Sequence, residues 1–263
     1  MCRWAAYAGP PAFLDSILLS PVHSLIEQSH SACEAKTAIN GDGFGLAWYD
    51  KRNEPGQYRD VLPAWADSNL QSLAYQIQSP LFMAHVRAST TGATNRTNCH
   101  PFTHGTLSFM HNGQIAQFER YRRTLEAALS DELYNARQGT TDSELMFLLA
   151  VGYGLADNPQ RAIEQMIGHV MDVCRDDNDQ AAIVRFTACF SDGKRLDAVR
   201  FSTDDYAPSL YMSQCKKSGA AFLVSEPFEA NDRDWKKVTP NSYVSISNGQ
   251  LMEIPFLQRA DAA

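Results

Sequence analysis

Apolar residues gather in short runs toward both ends of this chain and adopt helical spacing through its middle. Cys2 to Ala8 and Phe44 to Tyr49 read as short strands, with a helical stretch around Val22 to Ser29 between them. Gly41-Asp42-Gly43-Phe44-Gly45 runs straight into the second strand and reads as a turn, since it matches neither standard phosphate-loop spacing. Arg52 to Arg59 is polar and carries Pro55 and Gly56, the composition of an exposed loop. Leu81 to Ala88 and Thr106 to Met110 read as further strands. Helices are predicted over Phe118 to Ala128, Asp142 to Leu155 and Pro159 to Val173, the last with proline in its first turn. Strand character then returns. Ala182 to Phe190 and Leu196 to Phe201 flank Ser191-Asp192-Gly193-Lys194, and Val244 to Ser247 turns through Asn248-Gly249 into Leu251 to Ile254. Strand blocks on either side of a helical block, with no repeat or linker, predict an α+β fold of stacked sheets with helices outside, formed as one domain over 1–263.

Composition narrows the function. A chain of 263 residues with 44% hydrophobic content can bury a large core. A net charge of -7 disfavours nucleic acid or an anionic membrane as the main partner and points to a small-molecule ligand. No apolar run reaches the roughly 18 residues of a membrane span. Six cysteines without CxxC spacing read as thiols in a reducing cytoplasm. The one close cluster of metal-ligating types, Cys99, His100, His104 and His111, lacks the repeated short spacings of a structural zinc site, so neither metal nor cofactor is expected.

The candidate chemistry begins at the second residue. Cys2 follows the initiator Met1 and becomes the N-terminus once that methionine is removed, which places a thiol and a free α-amine on one residue. An α-amine ordinarily titrates at about 7.7–8.0 and can take the thiol's proton at neutral pH, the logic of an N-terminal nucleophile. Arg87 lies in His85-Val86-Arg87-Ala88-Ser89-Thr90 at a strand end, where its planar fork either grips a substrate carboxylate or forms an ordinary salt bridge. His111-Asn112-Gly113 offers the amide and backbone N–H of an oxyanion hole, but Asn-Gly is equally a hairpin signal, as Asn248-Gly249 illustrates. In Thr140-Thr141-Asp142-Ser143-Glu144 a capping box accounts for Thr141 and Glu144, leaving the Asp142 carboxylate for a substrate ammonium. Asn98-Cys99-His100-Pro101 is a loop whose His100 can line the pocket.

In this order, from Cys2 through His85 to Thr90, His100-Pro101, His111-Asn112-Gly113 and Asp142-Ser143-Glu144, with Ser225-Glu226-Pro227 late in the chain, the sequence resembles class II glutamine amidotransferases of the N-terminal-nucleophile hydrolase superfamily. The resemblance covers the whole chain. It implies a four-layer αββα sandwich of two stacked, mainly antiparallel sheets flanked by helices. It also implies Cys2 as nucleophile, Asn112 and Gly113 as the oxyanion hole, and Arg87 and Asp142 as binders of the substrate carboxylate and ammonium, with His111 and His100 at the substrate pocket. The opening Cys2-Arg3, where large members have Cys-Gly, is similar to that of short standalone relatives, some of which cleave γ-glutamyl amides other than glutamine. Little of the chain is left for a synthetase domain. Three readings follow: a glutaminase delivering ammonia to a separate acceptor enzyme, a freestanding γ-glutamyl amide hydrolase, and a non-catalytic binding protein that retains Met1.

Overall fold

A computed structural model describes residues 2–34, 39–89, 94–175, 180, 182–228 and 234–257. Two antiparallel sheets are stacked face to face. The first runs edge to edge through β11 (Lys236–Lys237), β9 (Tyr211–Gln214), β10 (Ala221–Val224), β1 (Arg3–Phe13), β4 (Gln78–Val86), β2 (Phe44–Tyr49) and β3 (Gly56–Asp60). The second runs through β13 (Gln250–Pro255), β12 (Ser242–Ser247), β8 (Leu196–Ser202), β7 (Val184–Ser191), β6 (Leu107–Ile115) and β5 (Phe102–His104).

Side-chain alternation along each strand builds three separate cores. Trp4, Leu81 and Met83 of the first sheet meet Met110, Cys189, Ala198 and Val244 of the second, forming the layer between the sheets. The opposite face of the first sheet, including Ala5, Tyr7, Phe82 and Ala84, is covered by α1 (Asp15–Leu18), α2 (Leu25–His30) and α3 (Ser68–Gln76). The outer face of the second sheet, including Phe109, Phe186 and Phe190, is covered by α4 (Phe118–Glu126), α5 (Asp131–Ala136), α6 (Asp142–Gly152) and α7 (Pro159–Val173). The result is the expected αββα sandwich. Five of the seven α-helices among the described residues begin at a capping side chain: Ser24, Asp67, Ser130, Thr141 and Asn158 each accept a first-turn backbone N–H, whereas α1 and α4 start without one.

Three local expectations change. The predicted loop over Arg52 to Arg59 contains most of β3, which pairs with β2 from Phe44↔Asp60 to Trp48↔Gly56. Gly56 only opens this edge strand and Pro55 precedes it, so neither disturbs the ladder. The strand expected to stop at Met110 continues to Ile115, paired throughout with β7. His111-Asn112-Gly113 is therefore mid-strand. Asn248-Gly249, by contrast, is the β12–β13 turn, with φ of 50° and 71° at its two residues.

Candidate active site

The side-chain parity that builds the inter-sheet core also places the candidate residues. Two residues before inward-facing Trp4 comes Cys2, four after Met83 comes Arg87, and two after Met110 comes Asn112. The Asn112 amide reaches across from β6 and donates to the Cys2 carbonyl at 2.8 Å. The Cys2 Sγ lies against the residue after Arg87, accepting from the Ala88 N–H at 3.4 Å and facing its carbonyl at 3.5 Å. Burial pushes the Cys2 thiol up, an effect opposed by the Ala88 N–H and the nearby cations Arg87 and Arg3. A thiol held protonated in this way needs a base before it can attack.

Arg87 is 4% exposed. Its guanidinium donates to the Asp42 carbonyl at 3.4 Å and the Ser89 hydroxyl at 3.1 Å, and it meets no carboxylate among the described residues. A buried guanidinium whose partners are neutral oxygens retains charge that an anionic ligand can balance. Asp142 stands in the first turn of α6; its oxygens accept from the Ser143 and Ile115 N–H groups at 2.8 and 2.9 Å. Each carboxylate oxygen retains acceptor capacity, and Asp142 borders a cavity of about 410 Å³ that Gln114 and Thr140 also line.

Gly113 is required where it stands. A Cβ there would lie 1.8 Å from the Arg185 carbonyl oxygen, and φ is +154°. The glycine lets β6 and β7 approach while the Asn112 amide stays aimed at Cys2.

His111 is one residue out of phase with Asn112 and so faces the helical layer. Its Nε2 meets the Arg185 carbonyl at 3.2 Å and its Nδ1 meets the Ser143 hydroxyl at 2.8 Å. A carbonyl only accepts, which assigns the ring proton to Nε2 and makes Ser143 the donor to Nδ1. Both nitrogens are occupied, so His111 ties β6 to β7 and α6. His100 lies against His85 with ring centroids 4.3 Å apart and the ring planes tilted by 30°, and neither ring has a hydrogen-bond partner among the described residues. Burial, aided by Arg87, pushes His85 down to about 3, and burial holds His100 well below the ordinary histidine range. Burial lowers His111 too, against the pull of Asp142. The imidazoles beside the site are therefore neutral near pH 7. Met1 and Thr90 lie outside the described residues.

Sequence reasoning gave no role to Arg3, Ser225 or Glu226. Arg3, fully buried, donates from Nε to the Cys2 carbonyl at 2.8 Å and pairs with Glu226 at 3.4 Å. Ser225 brackets Trp4, accepting its N–H at 2.9 Å and donating to its carbonyl at 3.2 Å. The available signal was a charged residue directly after Cys2 at the start of an apolar strand, together with an unassigned Ser-Glu-Pro late in the chain.

Residues 19–262 match the family model described as glutamine amidotransferases class-II. The chain is 32% identical over 98% of its length to a protein named as a probable glutamine amidotransferase of Saccharomyces cerevisiae, 85% of which it covers. It is 25% identical over 97% of its length to the γ-glutamyl-hercynylcysteine sulfoxide hydrolase of Mycolicibacterium smegmatis, all of which it covers. Among solved structures, a glutamine aminotransferase class-II domain protein from Silicibacter pomeroyi superposes with a TM-score of 0.76 at 36% identity, covering 98% of this chain and 100% of that one. The glutamine phosphoribosylpyrophosphate amidotransferase of B. subtilis shares the fold, with a TM-score of 0.69 at 14% identity over 98% of this chain and 50% of that one.

Proposed function

The chain belongs to the class II glutamine amidotransferases, and from that premise we propose that it hydrolyses a γ-glutamyl amide through a thioester on Cys2. The observation that carries this reading is the convergence at one end of the inter-sheet layer of the Cys2 thiol, the Asn112 amide and a buried Arg87 with no carboxylate partner among the described residues. Arg87 receives the α-carboxylate of the γ-glutamyl group in a bidentate fork, and Asp142 receives its α-ammonium. With Met1 removed, the Cys2 α-amine takes the thiol proton and the thiolate attacks the side-chain carbonyl carbon. One Asn112 amide hydrogen is engaged by the Cys2 carbonyl; the other, with the Gly113 N–H, holds the tetrahedral oxyanion. The α-amine returns its proton to the departing ammonia or amine. Water then hydrolyses the thioester, releasing glutamate and regenerating the thiol.

His111 serves this site by fixing the strand that carries Asn112, and His100 by backing His85 beneath Arg87. The reaction draws on no metal or cofactor. A freestanding hydrolase of a γ-glutamyl compound is supported by the mycobacterial relative, whose full length this chain spans. Transfer of ammonia to a separate acceptor enzyme is the second reading, supported by the yeast relative's name. The test is glutamate release from glutamine and from a panel of γ-glutamyl amides and peptides, using protein shown by intact mass to lack Met1. We expect stoichiometric glutamate and amine from at least one compound, lost in Cys2→Ala. A folded, processed protein that releases glutamate from none, with or without candidate acceptors, refutes the reading.

A further inference from the structure

Ser225-Glu226-Pro227 is the one motif to which the mechanism above gives no task. Its residues extend the β1–β10 pairing, which runs to Ala5↔Val224, alongside the first residues of the chain. Glu226 is buried at 3% exposure and fully engaged. One oxygen takes His23 Nε2 at 2.6 Å and the Cys33 N–H at 2.9 Å; the other takes the Glu34 N–H at 3.0 Å and Arg3 Nη1 at 3.4 Å. Although burial pushes the Glu226 carboxyl up, those donors outweigh it and keep the group ionised. His23, Cys33 and Glu226 bring ligand-type atoms within 4.8 Å of one another, but with both Glu226 oxygens committed to N–H donors the arrangement works as a carboxylate hub. On its other side Arg3 is fully buried, held also by the Ser225 carbonyl at 3.4 Å, and its Nε grips the Cys2 carbonyl at 2.8 Å.

We propose that Glu226, acting through Arg3, is a positioning residue for the nucleophile, fixing the Cys2 carbonyl and balancing the Arg3 charge so that the Cys2 thiol and α-amine keep the basicity attack requires. The proposal rests on the reading of Cys2 as nucleophile. Its physical content is a sign. An unbalanced buried guanidinium beside Cys2 favours thiolate over thiol and neutral amine over ammonium, so it lowers both titrations. The other groups around the pair are Arg87 at the end of β4, Asp42 ahead of β2, Glu34 and His23 around α2, Tyr206 ahead of β9, and the neutral His85, His100 and His111. Arg87 adds to the Arg3 effect, and among these groups only Glu226 forms an ion pair with Arg3.

The experiment measures the pH dependence of iodoacetamide alkylation at Cys2, resolved from exposed Cys33 and Cys215 by peptide mass spectrometry, in protein lacking Met1. Glu226→Gln should shift the midpoint down by about 0.5–1 pH unit, so that alkylation below the midpoint is roughly 3–10-fold faster than in the parent protein. Glu226→Asp, which restores the charge, should return the midpoint. Arg3→Gln, which leaves Glu226 unbalanced, should shift it upward, and the double variant Arg3→Gln/Glu226→Gln should lie close to the parent protein. Where Glu226→Gln does not fold, judged by circular dichroism, the Arg3→Gln and double variants decide. Midpoints that stay fixed in the folded variants, or that move in the opposite directions, overturn the proposal. Turnover is scored separately: activity with unmoved midpoints removes the Glu226 role and leaves the hydrolase reading standing, whereas shifted midpoints without turnover of any γ-glutamyl compound do the reverse.

Discussion

Arg87 and Asn112 stand close to the same cysteine yet are built to do different work, and kinetics can separate them. Arg87 is buried and, among the described residues, has only neutral oxygens as partners, so it is free to take a substrate carboxylate. That carboxylate is the same in ground and transition states, so Arg87→Lys, which keeps the charge and loses the fork, should raise KM about tenfold or more with a small change in kcat. In the proposed mechanism Asn112 addresses charge that exists only during reaction. Asn112→Ala should lower kcat by about 10²–10³ with KM within a few-fold. Initial rates of glutamate release across substrate concentration check both, and the reverse pattern would exchange the two assignments. Cys2, Arg87 and Asn112 could be picked out as candidates because each residue type suits one feature of the proposed reaction. Arg3 and Glu226 could not, since their partners lie more than 200 residues apart and only the fold brings them together.

At the scale of elements, one dipeptide occurs in two settings that periodicity alone did not separate. Asn248-Gly249 turns β12 into β13, and a Cβ on Gly249 meets nothing within 4 Å. Gly249→Ala should therefore cost only the left-handed backbone penalty, about 1–2 kcal/mol. Asn112-Gly113 lies inside a ladder, with Gly113 against the Arg185 carbonyl. Gly113→Ala should cost more than about 4 kcal/mol or separate β6 from β7, because both the contact and the φ are backbone features with no side chain to yield. Urea unfolding of the two variants tests the contrast; equal costs would mean that β6 gives way easily at Gly113. The same physics explains what was legible. Long apolar runs such as β1, β4 and β7 declare themselves, whereas β9 and β10 are four residues each and β3 is an edge strand of polar side chains, identified by their pairing and not by their composition.

At the scale of the whole molecule, the layered sandwich followed from strand blocks flanking a helical block, but the cost of seating the site between two sheets becomes visible only in three dimensions. His85, His100 and His111 are buried beside the cations of the site and held neutral. In the unfolded chain each titrates near 6.5. Above that pH the imidazoles are neutral in both states and their burial has no pH-dependent cost. As pH falls below 6.5 the unfolded chain takes up protons that the folded one refuses, until pH passes the depressed folded values, about 3 for His85. Each histidine then removes stability at up to about 1.4 kcal/mol per pH unit. Carboxylates held low in the fold, Glu226, Asp60, Asp204 and Glu253, have the same sign, but their contribution is lost only as pH approaches the ordinary carboxylate range near 4. The interval from pH 6.5 to 5 therefore belongs to the histidines. Urea unfolding across it should show stability falling with a slope of two to three protons, and His85→Gln should reduce that slope by about one whatever its effect on absolute stability. A flat profile from pH 7 to 5 would mean that the three rings take up protons in the folded protein as readily as in the unfolded chain, and that burial does not hold them neutral.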